Sequence, residues 1–242
     1  MKVLDDLISS LSEDSIARAS LVGEVYSCVL WTAVMTRNWG MASSFRTEHP
    51  HHGRVRDAGK LRGKAALELA EYAKSDNLLE ASIGMATINS LIDVDETKCV
   101  TENAFDVLAE RGRGRNIAVV GHFPWIPRLR DIAKKLWVIE QRPRGDDLPA
   151  EATEEILPHA DVVGLTGTSL INHTFERLME LSRGSFVVMV GPTSPLSPVL
   201  FDYGVDVISG IKVVEPEKML ACITEGAMFR QIEGIELLSM KK

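Results

Sequence analysis

Four short stretches carry residues that could do chemistry together: Gly121-His122, Glu140, Thr166-Gly-Thr-Ser-Leu-Ile-Asn172 and Gly191-Pro-Thr-Ser194. An imidazole titrates near neutral pH, so His122 can exchange a proton with a ligand. The Glu140 carboxylate can hold a hydroxyl or a ring nitrogen, and the threonine and serine hydroxyls both donate and accept. Gly167 can take positive φ or let a ligand approach the backbone closely. Thr168 or Ser169 can cap a following helix, whose free N–H groups favour an anionic or polar ligand. This makes His122 and Glu140 the candidate catalytic residues. The candidate ligand-binding residues are Gly121, Thr166, Gly167, Thr168, Asn172, Pro192, Thr193 and Ser194, with Asn172 and Thr174 placed to brace the Thr166–Gly167 turn.

Each stretch directly follows a short apolar run, and these runs are the elements that must position it. They read as strands at 116–121, 136–140, 161–165 and 186–190, with another at 206–209. Helical patterns fall between and after them, at 127–135, about 152–157, 172–182, and from Glu215 to Gly226, with Pro216 suited to a first helical turn. Short apolar strands alternating with helices predict an α/β fold with a parallel, doubly wound sheet. In such sheets ligands bind beyond the carboxyl ends of the strands, where the strand order reverses. The polar stretches sit at those ends.

The N-terminal part has a different rhythm. Residues 4–11 predict an amphipathic helix. Residues 16–22 and 24–34 are rich in Val, Leu, Tyr, Trp and Thr around Gly23, which predicts a hairpin, with a third strand at 40–45. Helices follow at 63–74 and 77–92. Ala81, Gly84 and Ala86 make the second a closely packed, buried helix, and Asn89 within it is expected to bond to backbone. The acidic connector at 93–97 is the expected boundary between a smaller α+β domain, residues 1–97, and the parallel-sheet domain, residues 98–242. Thr101 is expected to cap a helix running to Glu110.

Other chemistries are weaker. His49, His51 and His52 beside Glu48 invite a metal reading, but Pro50 and Gly53 make the segment a loop without a recognised ligand spacing. Glu140 lies 19 residues after Gly121, about where a ribose-binding acid falls in nucleotide-binding folds. The first turn, however, is Gly-His-Phe-Pro-Trp, with Phe123 and Trp125 where a pyrophosphate would need the backbone, so NAD(P) is disfavoured. An S-adenosylmethionine-type methyltransferase is one alternative, carried by Glu140. A non-catalytic metal-binding protein using the three histidines, or a site between the two domains, is another, and a metal ion is the candidate cofactor. No Gly-x-Ser-x-Gly elbow supports a nucleophilic triad. Asp146 and Asp147 read as solvated acids that could serve a cation or donor ligand.

With 45% hydrophobic and 25% charged residues, the chain has the composition of a globular protein. Its net charge of -7 argues against nucleic acid or an anionic membrane as partner, and the Arg111-Gly-Arg-Gly-Arg115 cluster reads as a solvated connector. No run approaches the roughly 18 apolar residues of a membrane span. The start lacks the features of a signal peptide. Cys28, Cys99 and Cys222 form no CxxC pair, so a cytoplasmic protein is expected. The expected partner is a small polar molecule or a metal chelate, and a homo-oligomer is left open.

Linked motifs also carry a family likeness. Val119-Val-Gly-His-Phe-Pro124, Glu140 with Pro143 and Gly145-Asp146, Leu157-Pro-His-Ala-Asp161, Thr166–Asn172 and Gly191-Pro-Thr-Ser-Pro-Leu-Ser-Pro198 resemble the heavy-metal chelation domain family. Gly59-Lys-Leu-Arg-Gly63 and Ala81–Leu91 extend the likeness across nearly the whole chain. The resemblance implies an enolase N-terminal-like domain packed on a Rossmann-like domain, with a site between them. It would place His122, Glu140, Thr166, Gly167, Asn172 and Thr193 in that site. The chemistry it implies is heavy-metal chelation, or making and breaking siderophore-, flavin- or pterin-like molecules.

Overall fold

The computed structural model describes residues 1–45 and 54–242. The candidate histidines His49, His51 and His52 lie outside the described residues. Helix α1 (Lys2–Glu13) buries Val3, Leu4, Leu7, Ile8 and Leu11, the three-and-four spacing of an amphipathic helix. Asp14 then ends it and caps α2 (Ser15–Ala19), its carboxylate accepting from the N–H groups of Ile16 and Ala17. The expected strand over 16–22 is therefore wrong at its start, because an Asp cap outweighs the β propensity of a few residues. Leu21 keeps a single bridge to Ala65.

Strands β1 (Glu24–Ser27), β2 (Trp31–Met35) and β3 (Trp39–Ser43) form an antiparallel meander. Its first turn falls at Cys28–Leu30, closed by Cys28 N–H donating to the Trp31 carbonyl, and not at Gly23. Helix α3 (Ala66–Ala70) runs into a 3₁₀ turn at Glu71–Lys74. Next, α4 (Leu78–Leu91), capped by Asn77, is buried on almost every side. Such enclosure needs small residues. A methyl group on Gly84 would stand 1.9 Å from the Ala73 nitrogen, and one on Gly40 of β3 would stand 2.2 Å from the Ala86 carbonyl oxygen of α4.

Glu80 of α4 is 3% exposed yet charged. It accepts from Arg56 N (2.6 Å), Arg56 Nε (2.9 Å) and Ser75 Oγ (2.7 Å). Burial pushes its carboxyl up, but the Ser75 and Arg56 donors outweigh that and hold it below the usual glutamate value of 4.5. A depressed folded-state value means that this stability is present above 4.5 and is lost as pH falls through the folded value. Urea midpoints should therefore fall more steeply below pH 4.5 for the native protein than for Glu80→Gln; parallel curves would remove Glu80 from acid stability.

The second sheet takes its strands from the rest of the chain: β4 (Cys99–Val100), β5 (Asn116–Val120), β6 (Lys135–Glu140), β7 (Leu148–Pro149), β8 (Val162–Thr166), β9 (Phe186–Val190), β10 (Val207–Val213) and β11 (Ile235–Lys241). Their spatial order is β4-β11-β10-β9-β8-β5-β6-β7. The run from β10 to β7 is parallel, as expected, while β11 pairs antiparallel with both β10 and β4. Strand β11 was not foreseen, and it extends β10 well past Ser209, because seven residue pairs from Val207↔Lys241 to Val213↔Ile235 join the two.

The helices of this part are α5 (Ala104–Gly112), α6 (Ile126–Arg130), α7 (Thr153–Ile156), α8 (Phe175–Leu181), α9 (Val199–Asp202) and α10 (Pro216–Thr224). Asn103, not Thr101, caps α5 through the Phe105 N–H. The helix expected over 172–182 begins only at Phe175, since His173 takes φ 61° and breaks the run.

The two sheets share one core. A continuous apolar cluster joins α1, α3 and α4 to Leu165, Leu170, Phe175, Met189 and Leu200. Tyr203 donates to Asp6 (2.6 Å), and the Glu176 carboxylate accepts from Val3 N–H (2.9 Å). A second contact packs Ala33 and Met41 of the meander on Met219, Ile223 and Ile232, with Trp31 Nε1 donating to the Ala227 carbonyl.

Candidate active site

After β5 the chain moves outward to β6 and β7; after β8 it moves the other way to β9 and β10. The strand order thus reverses between β5 and β8, which sit side by side with Val120 opposite Leu165. Loops leaving two such strands in opposite directions leave a crevice. Here it is a cavity of about 510 Å³, within the usual range for small-molecule sites. The parallel sheet supplies its floor through Val120, Gly121, His122, Ile139, Glu140 and Thr166. Ser43, Ser44 and Phe45, at and just beyond the end of β3, close it from the other part of the molecule.

Gly121 turns the chain out of β5 with φ 109°, where a side chain would also press on Phe123 and Thr166 at 3.1 Å. The turn that follows is held by Glu140, whose Oε2 accepts from His122 N–H (3.0 Å) and Oε1 from Gln141 N–H (2.8 Å). Both oxygens are engaged with backbone, so the first task of Glu140 is to fix the β5 and β6 turns relative to each other.

Strand β7 pairs with the end of β6, Ile139 opposite Leu148. That register carries Asp147, one residue earlier, to the His122 ring. The Asp147 Oδ2 lies 2.8 Å from His122 Nδ1 and also accepts from Arg144 N–H. The Asp147 side chain is 6% exposed and that of His122 47%. Asp147 is therefore a buried partner of the imidazole and not the solvated acid its loop suggests. Phe123 stacks on Trp125 at 4.7 Å and 6°, filling the turn that a pyrophosphate-binding fold keeps open.

On the β8 side, Thr166 caps a 3₁₀ turn at Gly167–Leu170, accepting from Thr168 N–H, while Ser169 Oγ donates to the Thr166 carbonyl. Neither Thr168 nor Ser169 caps an α-helix, contrary to expectation. The Thr166 and Thr168 hydroxyls meet at 3.0 Å. Asn172 braces the turn by accepting from Thr174 N–H and Oγ1.

Of the residues singled out in the sequence, Gly121, His122, Glu140, Thr166, Thr168 and Asn172 line the cavity. Gly167, Pro192, Thr193 and Ser194 do not. Gly167 lies against Ser194, where an added methyl would meet Ser194 Oγ at 2.6 Å. The 192–194 turn docks the meander: Thr193 Oγ1 accepts from Ser43 N–H (3.0 Å), and the carbonyls of Pro192 and Thr193 accept from the Asn89 amide. Asn89 thus bonds to backbone as expected, and the backbone belongs partly to the other sheet. Unforeseen at the cavity are Ser43, Ser44, Phe45, His173 and Arg177. His173 reaches the Ala73 carbonyl at 2.9 Å, and Arg177 is tied to Glu154 and Glu180. Only the docking of the two parts brings Ser43–Phe45 here, and no local motif marks that docking.

The class defined by these features is a mixed α/β protein with a large, mostly parallel sheet, a small antiparallel three-stranded sheet, and a cavity of polar and apolar side chains at the strand-order reversal. The chain belongs to the DUF364 family, described as "Putative heavy-metal chelation", whose model matches residues 103–240; residues 9–92 match the model of DUF4213, which carries the same description. The chain is similar to the uncharacterized protein MJ0500 of Methanocaldococcus jannaschii, at 27% identity over 203 residues, 81% of this chain and 78% of that protein. It is also similar to the crystal structure of a DUF364 protein of unknown function from Desulfitobacterium hafniense, with TM-score 0.87, 28% identity, and 100% and 98% of the two chains covered. A second DUF364 protein of unknown function, from Pyrococcus horikoshii, shares the fold at TM-score 0.81 and 20% identity, over 99% of this chain and 100% of that one.

Among the described residues, no group of three or more His, Cys, Asp and Glu side chains is arranged to hold a metal ion. No described helix is long and apolar enough to cross a membrane.

Proposed function

We propose that the protein binds a small polar molecule in the cavity at the strand-order reversal and acts on it there. The observation that carries this reading is the double wall: residues from both sheets enclose a volume of about 510 Å³ at the place where such folds bind ligands. His122, Thr166 and Thr168 would meet the ligand, and Glu140 would hold the turns that present them. Among the described residues, the donor set at the cavity is two imidazoles, His122 against Asp147 and His173 against the Ala73 carbonyl, with a Glu140 carboxylate engaged by backbone, and this does not fit a directly ligated metal. In this reading the heavy-metal chelation described for the family concerns an organic chelator or its metal chelate. We further take residues 1–97 and 98–242 as the two domains, and the three free cysteines as suited to a reducing cytoplasm.

Native mass spectrometry of untagged protein tests this. A retained organic molecule, absent from Ala150→Phe, which fills the cavity wall, is the expected result. A metal retained at whole-number stoichiometry without an organic partner, and lost from a variant lacking His49, His51 and His52, would overturn it in favour of metal binding.

A further inference from the structure

The proposed ligand is left without a class by the cavity's location, but the wall chemistry narrows it. Arg177 is the one Arg or Lys side chain among the described residues lining the cavity, and it is held by Glu154 and Glu180. Among the described lining residues, no uncommitted Arg or Lys awaits a phosphate or carboxylate. The rest of the described wall mixes hydroxyls (Thr166, Thr168, Ser44) and apolar groups (Phe45, Ile139, Leu178) with Glu140, Gln141, Asn172 and two histidines, His122 and His173.

His122 is the lining side chain that faces a buried carboxylate. Its Nδ1 faces the buried Asp147 carboxylate at 2.8 Å, so Nδ1 carries the hydrogen and the lone pair is left on Nε2, on the opposite edge of a half-exposed ring. Charged or titratable groups lining the same cavity are Glu140, whose carboxylate is tied to the His122 and Gln141 N–H groups, His173, tied to Ala73, and Arg177, while Arg144 bonds to the same Asp147 carboxylate through its N–H.

Resting on the binding reading above, we infer that the site takes an uncharged molecule bearing an acidic hydroxyl or N–H, and that His122 removes that proton. The proton passes from the ligand O–H or N–H to His122 Nε2. The ligand keeps the electron pair as an anion, and the imidazolium is stabilised by Asp147. Asp147 is a positioning residue: it fixes the tautomer and the ring without touching the ligand.

The test uses 4-nitrophenol, whose ionised and neutral forms absorb at different wavelengths. The full-length protein is titrated at a pH where the free phenol is neutral. The expected result is saturable binding with the visible band of the phenolate. His122→Gln should lose the band. Asp147→Asn should bind comparably and lose at least tenfold of the bound phenolate, while Asp147→Glu restores part of it. Binding in the neutral form, or an unchanged band in His122→Gln, overturns the proton transfer. Absence of binding at millimolar phenol overturns the ligand class, whereas the cavity reading stands or falls separately on the Ala150→Phe comparison. Circular dichroism and thermal melting confirm that each variant is folded.

Discussion

Gly84→Ala should destabilise the protein by about 3 kcal/mol or more, read as a fall in the urea midpoint with unchanged slope. Two effects oppose each other here. Alanine improves helix propensity by about 1 kcal/mol over glycine in a helix interior. Against that, the new methyl group would lie 1.9 Å from the Ala73 nitrogen and 2.6 Å from its Cα. These are backbone atoms of the 3₁₀ turn, so no side-chain rotation relieves the contact, and α4 must move off its neighbour. Helix α4 is also gripped by β3, where Gly40 lies as close on the other side. Movement away from one contact drives it into the other. The overlap therefore wins over propensity, and equal or raised stability in the variant would show that α4 has slack the geometry denies.

Asn89→Ala should cost about 1–3 kcal/mol and impair the cavity as well. The Asn89 amide nitrogen donates to the carbonyls of Met41 (2.8 Å), Pro192 (3.2 Å) and Thr193 (3.4 Å), joining the meander to the turn after β9. Without it those carbonyls lose a partner, and Ser43–Phe45 lose the brace that holds them over the cavity. Hydrogen exchange should accelerate at residues 41–45, and a cycle with Thr193→Val should show coupling above about 0.5 kcal/mol. Additive effects, or exchange confined to α4, would make Asn89 a local helix residue only.

The parallel sheet was readable because each strand of its centre contains a short apolar run bounded by polar or turn residues. The edges were not. Strand β11 alternates as Ile-Glu-Leu-Leu-Ser-Met-Lys and gains its identity from pairing with β10. Residues 16–22 read as a strand by composition, and a single Asp14 carboxylate caps residues 15–19 as a helix instead. The site shows the same division. His122, Glu140 and Thr166 follow strand ends and could be placed from the pattern. The pairing of Asp147 with His122 depends on the β6–β7 register, and that register is a tertiary fact. Thr193 looked like its counterparts at Thr166 and Thr168, yet its hydroxyl is spent on Ser43, 150 residues away.

The shared wall of the cavity has a thermodynamic consequence. Ser43–Phe45 and His122–Thr166 meet only when the meander is docked on the parallel sheet, so a bound molecule is linked to that docking equilibrium as well as to global unfolding. Its stabilisation, RT ln(1 + [L]/Kd), would be shared by elements that never touch it. The amides of the buried helices α1 and α4, which lie outside the cavity wall, should therefore report occupancy by hydrogen exchange as faithfully as those of the wall itself.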